Sequence, residues 1–119
     1  MNPVGWFEIT VSDLDRATAF YEKTLGITLT RHEMDGIQMA WFPVEQGNNY
    51  GATGTLILSD NYIAGTSSTM VYFNVDSIDE VLARVDASAI LQPKTNIGDA
   101  GKYAHIEDSE GNRVGIHCH

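Results

Sequence analysis

The sequence contains little cysteine, little positive charge and no long apolar run. Its one cysteine, Cys118, excludes a disulfide within the chain. Sixteen acidic residues against 7 lysines and arginines give a formal net charge of −9, which repels phosphate backbones and anionic lipids. We therefore expect neither nucleic acid nor a membrane as a partner. No apolar run approaches the roughly 20 residues of a membrane span, and residues 1–5 lack the charged and apolar parts of a signal peptide, so we expect a cytoplasmic protein.

The composition that is present is that of an ordinary globular protein. Hydrophobic residues make up 43% and charged residues 19% of the chain, which excludes disordered, collagen-like and coiled-coil proteins. A chain of 119 residues forms one core, so we expect residues 1–119 to be a single domain.

Apolar periodicity and turn signals predict the same order of elements in each half of the chain. A helix is predicted to begin after Ser12 or Asp13 and to end at Gly26, and a second apolar stripe at helical spacing runs over residues 78–85. Asp35-Gly36 predicts a tight hairpin. The predicted strands cover residues 6–11, 27–33, 37–44 and 55–58, and then 70–75, 90–94, 103–107 and 113–118.

The two halves overlay after a shift of 64 residues, which places Val11 on Val75 and Leu14 on Ile78. Such an internal repeat indicates duplication of one structural unit, and the alternative is an ordinary α+β sandwich with an accidental similarity between its halves. One βαβββ module alone would expose an apolar sheet face. We therefore predict an α+β fold of two modules, residues 1–59 and 69–119, joined by a polar connector at 60–68, with mixed sheets that curve around a cleft.

Two stretches also carry the pattern of a known family. The first runs from Trp6 to Ala17, with Phe20-Tyr21 and Leu25-Gly26 after it, and the second is Ala104 to Ile116. They resemble the opening and closing segments of the glyoxalase/bleomycin-resistance/dioxygenase superfamily, also called vicinal-oxygen-chelate proteins. The resemblance implies this fold, and either a metal-dependent lyase, isomerase or dioxygenase or a metal-free protein that sequesters drugs. It also implies a homodimer with cavities at its interface.

The resemblance further implies where the metal ligands of such enzymes would lie. The opening-strand positions fall on Trp6 and Met70, the closing-strand position of the second module on Gly115, and a fourth near 56–58. Indole, thioether, hydrogen and alkyl groups are unsuitable donors for a divalent cation. We therefore predict no metal and no other cofactor.

A register two residues further along would place polar groups at these positions instead. Glu8, Tyr72 and His117 then lie one step along the same strand faces. Glu8 and His117 could form a metal pair, an acid–base catalytic pair or a plain ion pair. Alternatively, Glu8 is an ordinary hydrogen-bonded group and His117 lies near a frayed chain end. Beside tryptophan and methionine, Glu8 would be desolvated and would act as a proton acceptor or as the polar anchor of a ligand.

Three functional hypotheses follow from these residues. The first is a metal-free protein that binds a small, partly aromatic molecule. The second is a metal-dependent enzyme of the superfamily with a displaced site around Glu8 and His117. The third is a structural or regulatory dimer whose cleft is filled by its own side chains. The residues expected to bind a ligand are Trp6, Glu8, Trp41, Met70, Tyr72 and His117.

The other histidines carry weaker signals. His32 precedes the Asp35-Gly36 turn, so we expect it at a solvated hairpin end. His105 is predicted to be a hydrogen-bonded residue within a strand.

Overall fold

Two four-stranded sheets form the protein, as the computed structural model describes it for residues 6–44, 51–60, 62–65 and 69–119. The first sheet has the order β1-β4-β3-β2 and the second β5-β8-β7-β6. β1 pairs with β4, and β5 with β8, in parallel, whereas the other neighbours are antiparallel. The elements are β1 Phe7–Thr10, α1 Leu14–Leu25, β2 Thr30–Met34, β3 Ile37–Trp41, β4 Gly54–Leu58, β5 Tyr72–Asn74, α2 Ile78–Leu82, β6 Ile90–Asn96, β7 Lys102–Glu107 and β8 Arg113–Cys118.

This order confirms the predicted α+β fold of two βαβββ modules. The repeat is visible in the helix caps, because Asp13 accepts a hydrogen bond from the N–H of Arg16 and Ser77 accepts one from the N–H of Glu80. In the predicted connector, Asn61 and residues 66–68 lie outside the described residues. None of the helices in the described part of the chain is long and apolar enough to span a membrane.

The turn residues act as predicted, whereas several element ends differ. Gly26 ends α1 in the left-handed conformation, at φ 69°. α2 ends at Leu82 and not at Val85, because the next N–H groups donate to carbonyls three residues back and tighten the chain into turns. β2 begins at Thr30 and not at residue 27, since the N–H of Leu29 donates to the Glu22 carboxylate instead of to a strand.

The larger of two hydrophobic clusters joins the modules on the helical side of the sheets, and the smaller one packs α2 on the second sheet. α1 packs Leu14, Ala17 and Tyr21 onto the first sheet, and the same cluster extends to Ile106 and Val114 of the second. Both sheets thus turn one face toward the helices. The opposite face of each sheet does not pack against α1 or α2, and we call it the helix-free face.

A turn between β7 and β8 fastens the second module to the first. Asp108, Glu110 and Asn112 of this turn, which we call the 108–112 clamp, all bond to the first module. The Tyr21 hydroxyl donates to Asp108 Oδ2 at 2.6 Å, and Asn112 Nδ2 donates to the carbonyl oxygen of Thr10 at 2.9 Å. Burial raises the pKa of Tyr21, and the nearby Asp108 charge raises it further.

Glu110 is the most strongly bonded residue of the clamp. Its Oε1 accepts from the backbone N–H groups of Ser12 and Asp13, both at 2.9 Å, and its Oε2 accepts from Arg16 Nε at 2.7 Å. Burial by itself would raise the pKa of this carboxyl, but the hydrogen bonds from Arg16, Ser12 and Asp13 outweigh it and lower the pKa to about 2.

Candidate functional site

The helix-free face of the first sheet carries a group of stacked rings. Strand alternation brings Trp41 of β3 and Trp6, which precedes β1, to this face, where their ring centroids lie 5.4 Å apart, edge to face. His32 of β2 stacks on Trp41 with centroids 3.9 Å apart and planes 28° apart. His32 thus lies near the hairpin end, as expected, but it is half-buried and stacked on a ring instead of fully solvated. The antiparallel pairing of β2 and β3 sets Trp41 opposite Thr30, and His32 is its diagonal neighbour.

The ring group contains one buried hydrogen-bond donor. Trp41 Nε1 is buried and has no hydrogen-bond partner among the described residues. A buried donor without an acceptor costs about 1–3 kcal/mol, so few native structures retain one. Trp6, in contrast, is 41% exposed and presents its ring to the surroundings. This face therefore combines an exposed aromatic ring with a buried indole N–H that has no acceptor in the described part of the chain.

The helix-free face of the second sheet carries a chain of hydrogen bonds. The Tyr72 hydroxyl lies 2.7 Å from His105 Nε2, and Arg113 Nε donates to His105 Nδ1 at 3.1 Å. β5, β7 and β8 supply one residue each. The prediction that His105 is hydrogen-bonded within a strand is confirmed, but neither partner was predicted. The two residues of the β7–β8 pair lie close because His105 faces Gly115 across the ladder, two positions from Arg113.

Arg113 determines which nitrogen of His105 carries the proton. A guanidinium only donates, so Nδ1 must accept with its lone pair and the proton of the neutral imidazole lies on Nε2. Burial lowers the pKa of His105, and the charge of Arg113 lowers it further, which favours this neutral form. His105 then donates from Nε2 to the Tyr72 oxygen. The Tyr72 O–H itself then has no acceptor within the described part of the chain.

The residues at the metal-ligand positions implied by the resemblance do not fit a divalent cation. Gly115 has no side chain, and a Cβ added there would overlap the Tyr72 ring, which lies across this point of β8. Trp6 and the half-buried Met70 supply no suitable donor. Nowhere in the described part of the chain do three or more His, Cys, Asp or Glu side chains form a group that could hold a metal ion.

Glu8 and His117 lie on different sheets, and no hydrogen bond or ion pair between described residues joins them. His117 on β8 uses its Nε2 to donate to the carbonyl oxygen of Ala100 at 2.6 Å. Glu8 on β1 is exposed, not desolvated, and lines a cavity of about 220 Å³ between the sheets together with Arg113. The structure therefore brings Glu8 toward Arg113 and leaves the catalytic roles of Glu8 and His117 as predictions.

A second and larger cavity lies on the helical side, between the two modules. It has a volume of about 510 Å³ and is not indicated by any sequence motif. The rings of Phe7, Phe42 and Phe73 form its floor, with centroid separations of 5.4–5.8 Å, and Glu80 and Arg84 of the α2 region stand at its edge.

Comparisons with known proteins agree with this architecture. Residues 4–116 match the model of the Glyoxalase/Bleomycin resistance protein/Dioxygenase superfamily. Bleomycin resistance proteins of Geobacillus stearothermophilus and Staphylococcus aureus are each 28% identical over 102 residues, which cover 76% of this chain and 75% of the relative.

Solved structures show the same fold. TnmS3, an antibiotic binding protein from Streptomyces sp. CB03234, superposes with a TM-score of 0.68 at 21% identity, over 99% of this chain and 96% of its own. A glyoxalase-related enzyme from Fulvimarina pelagi superposes with a TM-score of 0.71 at 16% identity, over 100% and 89%. Because the family model spans nearly the whole chain, this protein belongs to the Glyoxalase/Bleomycin resistance protein/Dioxygenase superfamily.

Proposed function

We propose that the protein binds a small, partly aromatic molecule on its helix-free faces and does so without a resident metal. The observation that carries this proposal is the Trp6–Trp41–His32 ring group, in which Trp6 is exposed and the buried Trp41 N–H has no acceptor among the described residues. A mostly apolar wall with a few polar groups is typical of small-molecule sites. Stacking on these rings would add roughly 0.5–1.5 kcal/mol beyond the burial of apolar area.

Two further facts support binding over metal-dependent catalysis. The donor set at the implied ligand positions is unsuitable, and the Tyr72 ring covers the closing position at Gly115. Relatives named bleomycin resistance proteins, and a structural neighbour named as an antibiotic binding protein, favour drug sequestration as the form of this binding. The homodimer and the cytoplasmic location stay predictions; a second copy laid against the exposed rings would enclose a ligand.

The experiment is a fluorescence titration of the purified protein with a library of aromatic drugs and metabolites. The chain has only 2 tryptophans, Trp6 and Trp41, so any quenching that follows a binding isotherm reports this face. We expect saturable quenching by aromatic ligands, weakened about five- to tenfold in Trp6→Ala. Trp41→Phe, which keeps a ring at the buried position, serves as the matched control with one remaining reporter.

Metal analysis of protein purified without chelators tests the same proposal from the other side. We expect zinc, nickel, manganese and iron far below one ion per chain. A stoichiometric ion that is lost in Glu8→Gln would overturn the proposal in favour of a displaced metal site.

A further inference from the structure

We propose that the Tyr72 hydroxyl is a hydrogen-bond donor that selects ligands bearing an anionic acceptor oxygen, a carboxylate or a phenolate, and that His105 and Arg113 are its positioning residues. This inference rests on the proposed small-molecule binding and names the chemistry of the ligand. It assigns recognition to residues that lie beside, and not at, the implied metal positions.

The direction of the hydrogen bonds is the first argument. Arg113 donates to His105 Nδ1 through both Nε and a terminal nitrogen, at 3.1 and 2.9 Å. With Nδ1 accepting, Nε2 carries the proton and donates to the Tyr72 oxygen at 2.7 Å. The phenolic proton then has no partner within the cluster. A tyrosine whose oxygen already accepts a bond from a polarised imidazole is a stronger donor toward an incoming acceptor.

The charge of Arg113 is the second argument. Each of the other arginines has a carboxylate within salt-bridge distance: Arg16 pairs with Glu110, Arg31 with Asp15 and Arg84 with Glu80. Arg113 instead bonds to a neutral ring, and among the described residues no carboxylate lies within salt-bridge distance of it, although Glu107 faces it across the ladder and Glu8 lines the same cavity. Its guanidinium, one side chain away from Tyr72, therefore favours an acceptor of negative charge at that hydroxyl.

The position of the ring is the third argument. Tyr72 is 47% exposed, so its hydroxyl can be reached from outside, yet its ring lies flat across β8 because Gly115 has no Cβ to displace it. This close fit fixes where the hydroxyl points before any ligand arrives. Such preorganisation reduces the entropic cost of binding.

The test uses three naphthalene probes that share one ring system: 2-naphthoate, 2-acetylnaphthalene and 2-naphthylmethylammonium. Calorimetric titration of the intact protein is expected to give the order naphthoate, then the neutral ketone, then the cation, with at least about tenfold between the first and the last. Tyr72→Phe keeps the ring on Gly115 and removes only the hydroxyl. It is expected to weaken naphthoate about tenfold and leave the cation unchanged.

Matched variants separate recognition from a general loss of structure. Tyr103→Phe deletes the same atom from a ring 5.3 Å from His105, where the hydroxyl has no hydrogen-bond partner among the described residues, and it is expected to change nothing. His105→Gln retains an oxygen that accepts from Arg113 and an N–H that donates to Tyr72, so it should preserve the preference for naphthoate. His105→Leu, of similar size, should abolish that preference while the cation binds as before.

Each outcome decides the inference. Equal affinities for the anion and the cation in the unaltered protein, or an unchanged preference in Tyr72→Phe, would refute the choice of ligand while ring binding itself stands. Failure of all three probes to bind would remove the proposed function and the inference together. An unchanged preference for naphthoate in His105→Leu would overturn the positioning role alone.

Discussion

The two helix-free faces are built on the same backbone plan and hold their side chains by different forces. On the first sheet Trp41 contacts the rings of Trp6 and His32, and its own buried Nε1 has no partner among the described residues. On the second sheet a hydrogen bond joins the Tyr72 and His105 rings, and His105 accepts another from the guanidinium of Arg113. The first face therefore contributes binding affinity through its apolar contact area. The second face selects among ligands through its hydrogen-bond donors.

Equivalent positions in the two ladders show how this difference arose. Glu8 on β1 faces Thr55 on β4, and Tyr72 on β5 faces Gly115 on β8. Thr55 is completely buried, and its hydroxyl donates to a carbonyl of its own sheet, so that position is closed. Gly115 leaves the room that the Tyr72 ring occupies. One small residue thus permits a polar cluster in the second module that the first module cannot form.

The largest expected effect on stability comes from weakening the 108–112 clamp, which joins the two modules. Glu110→Gln removes a carboxylate whose side chain is fully buried among the N–H donors of Ser12, Asp13 and Arg16. We expect the free energy of unfolding near neutral pH to fall by about 3 kcal/mol, measured by urea denaturation. Asp15→Asn, at an exposed carboxylate paired with Arg31, is the control and should cost less than about 1 kcal/mol.

The sign of the pH dependence sharpens this prediction. The pKa of Glu110 lies at about 2 in the folded protein, against 4.5 for an unperturbed carboxyl, so the unfolded chain binds the extra proton. The stabilisation is therefore complete above pH 4.5 and is lost as the pH falls from there toward 2. Glu110→Gln should flatten this part of the stability curve. If the free energy of unfolding of the variant still falls with acid pH as steeply as in the unaltered protein, the clamp contributes little to stability.

The next largest effect is expected from disrupting the Tyr72–His105 cluster, which distinguishes the second face from the first. Gly115→Ala places a methyl group where the Tyr72 ring lies, so the ring must swing away from His105. We expect a loss of about 1–3 kcal/mol of stability and loss of the Tyr72–His105 hydrogen bond, seen in the ring resonances of His105 by NMR. If the Tyr72 ring position and the stability are both unchanged in this variant, the cluster does not depend on the missing side chain at Gly115.

Local signals made the scaffold predictable from the sequence. Asp13, Gly26 and Asp35-Gly36 act through their own backbone, so their caps and turn need no knowledge of the rest of the chain. The repeat of module order followed from the same kind of signal. The polar cluster has no such signal, because Tyr72 and Arg113 lie 33 and 8 residues from His105 in sequence and meet only once the ladder registers are set. The stacking of His32 on Trp41 was missed for the same reason.

A smaller effect distinguishes packing from hydrogen bonding on the first face. Trp41→Phe keeps a ring under Trp6 and removes an N–H that has no acceptor among the described residues. The gain from deleting an unsatisfied donor and the loss of packed area oppose each other, so we expect stability to change by less than about 1 kcal/mol in thermal unfolding. A loss above about 2 kcal/mol would indicate that Nε1 is bonded in solution and that this face, too, depends on hydrogen bonds.

The smallest effect concerns the proton on His105, and it tests the electrostatic half of the comparison. Burial and then the Arg113 charge lower the pKa of His105 below its ordinary 6.5, so the unfolded chain takes up this proton first as the pH falls. The contribution of His105 to stability is thus present above pH 6.5 and is lost as the pH falls through the folded pKa. Arg113→Gln should move that pKa upward in an NMR titration. Arg84→Gln, which removes a cation paired with Glu80 at the opposite cavity, should not. If both variants leave His105 unchanged, the ring is held neutral by burial alone, and the second face differs from the first in its hydrogen bonds but not in its charge.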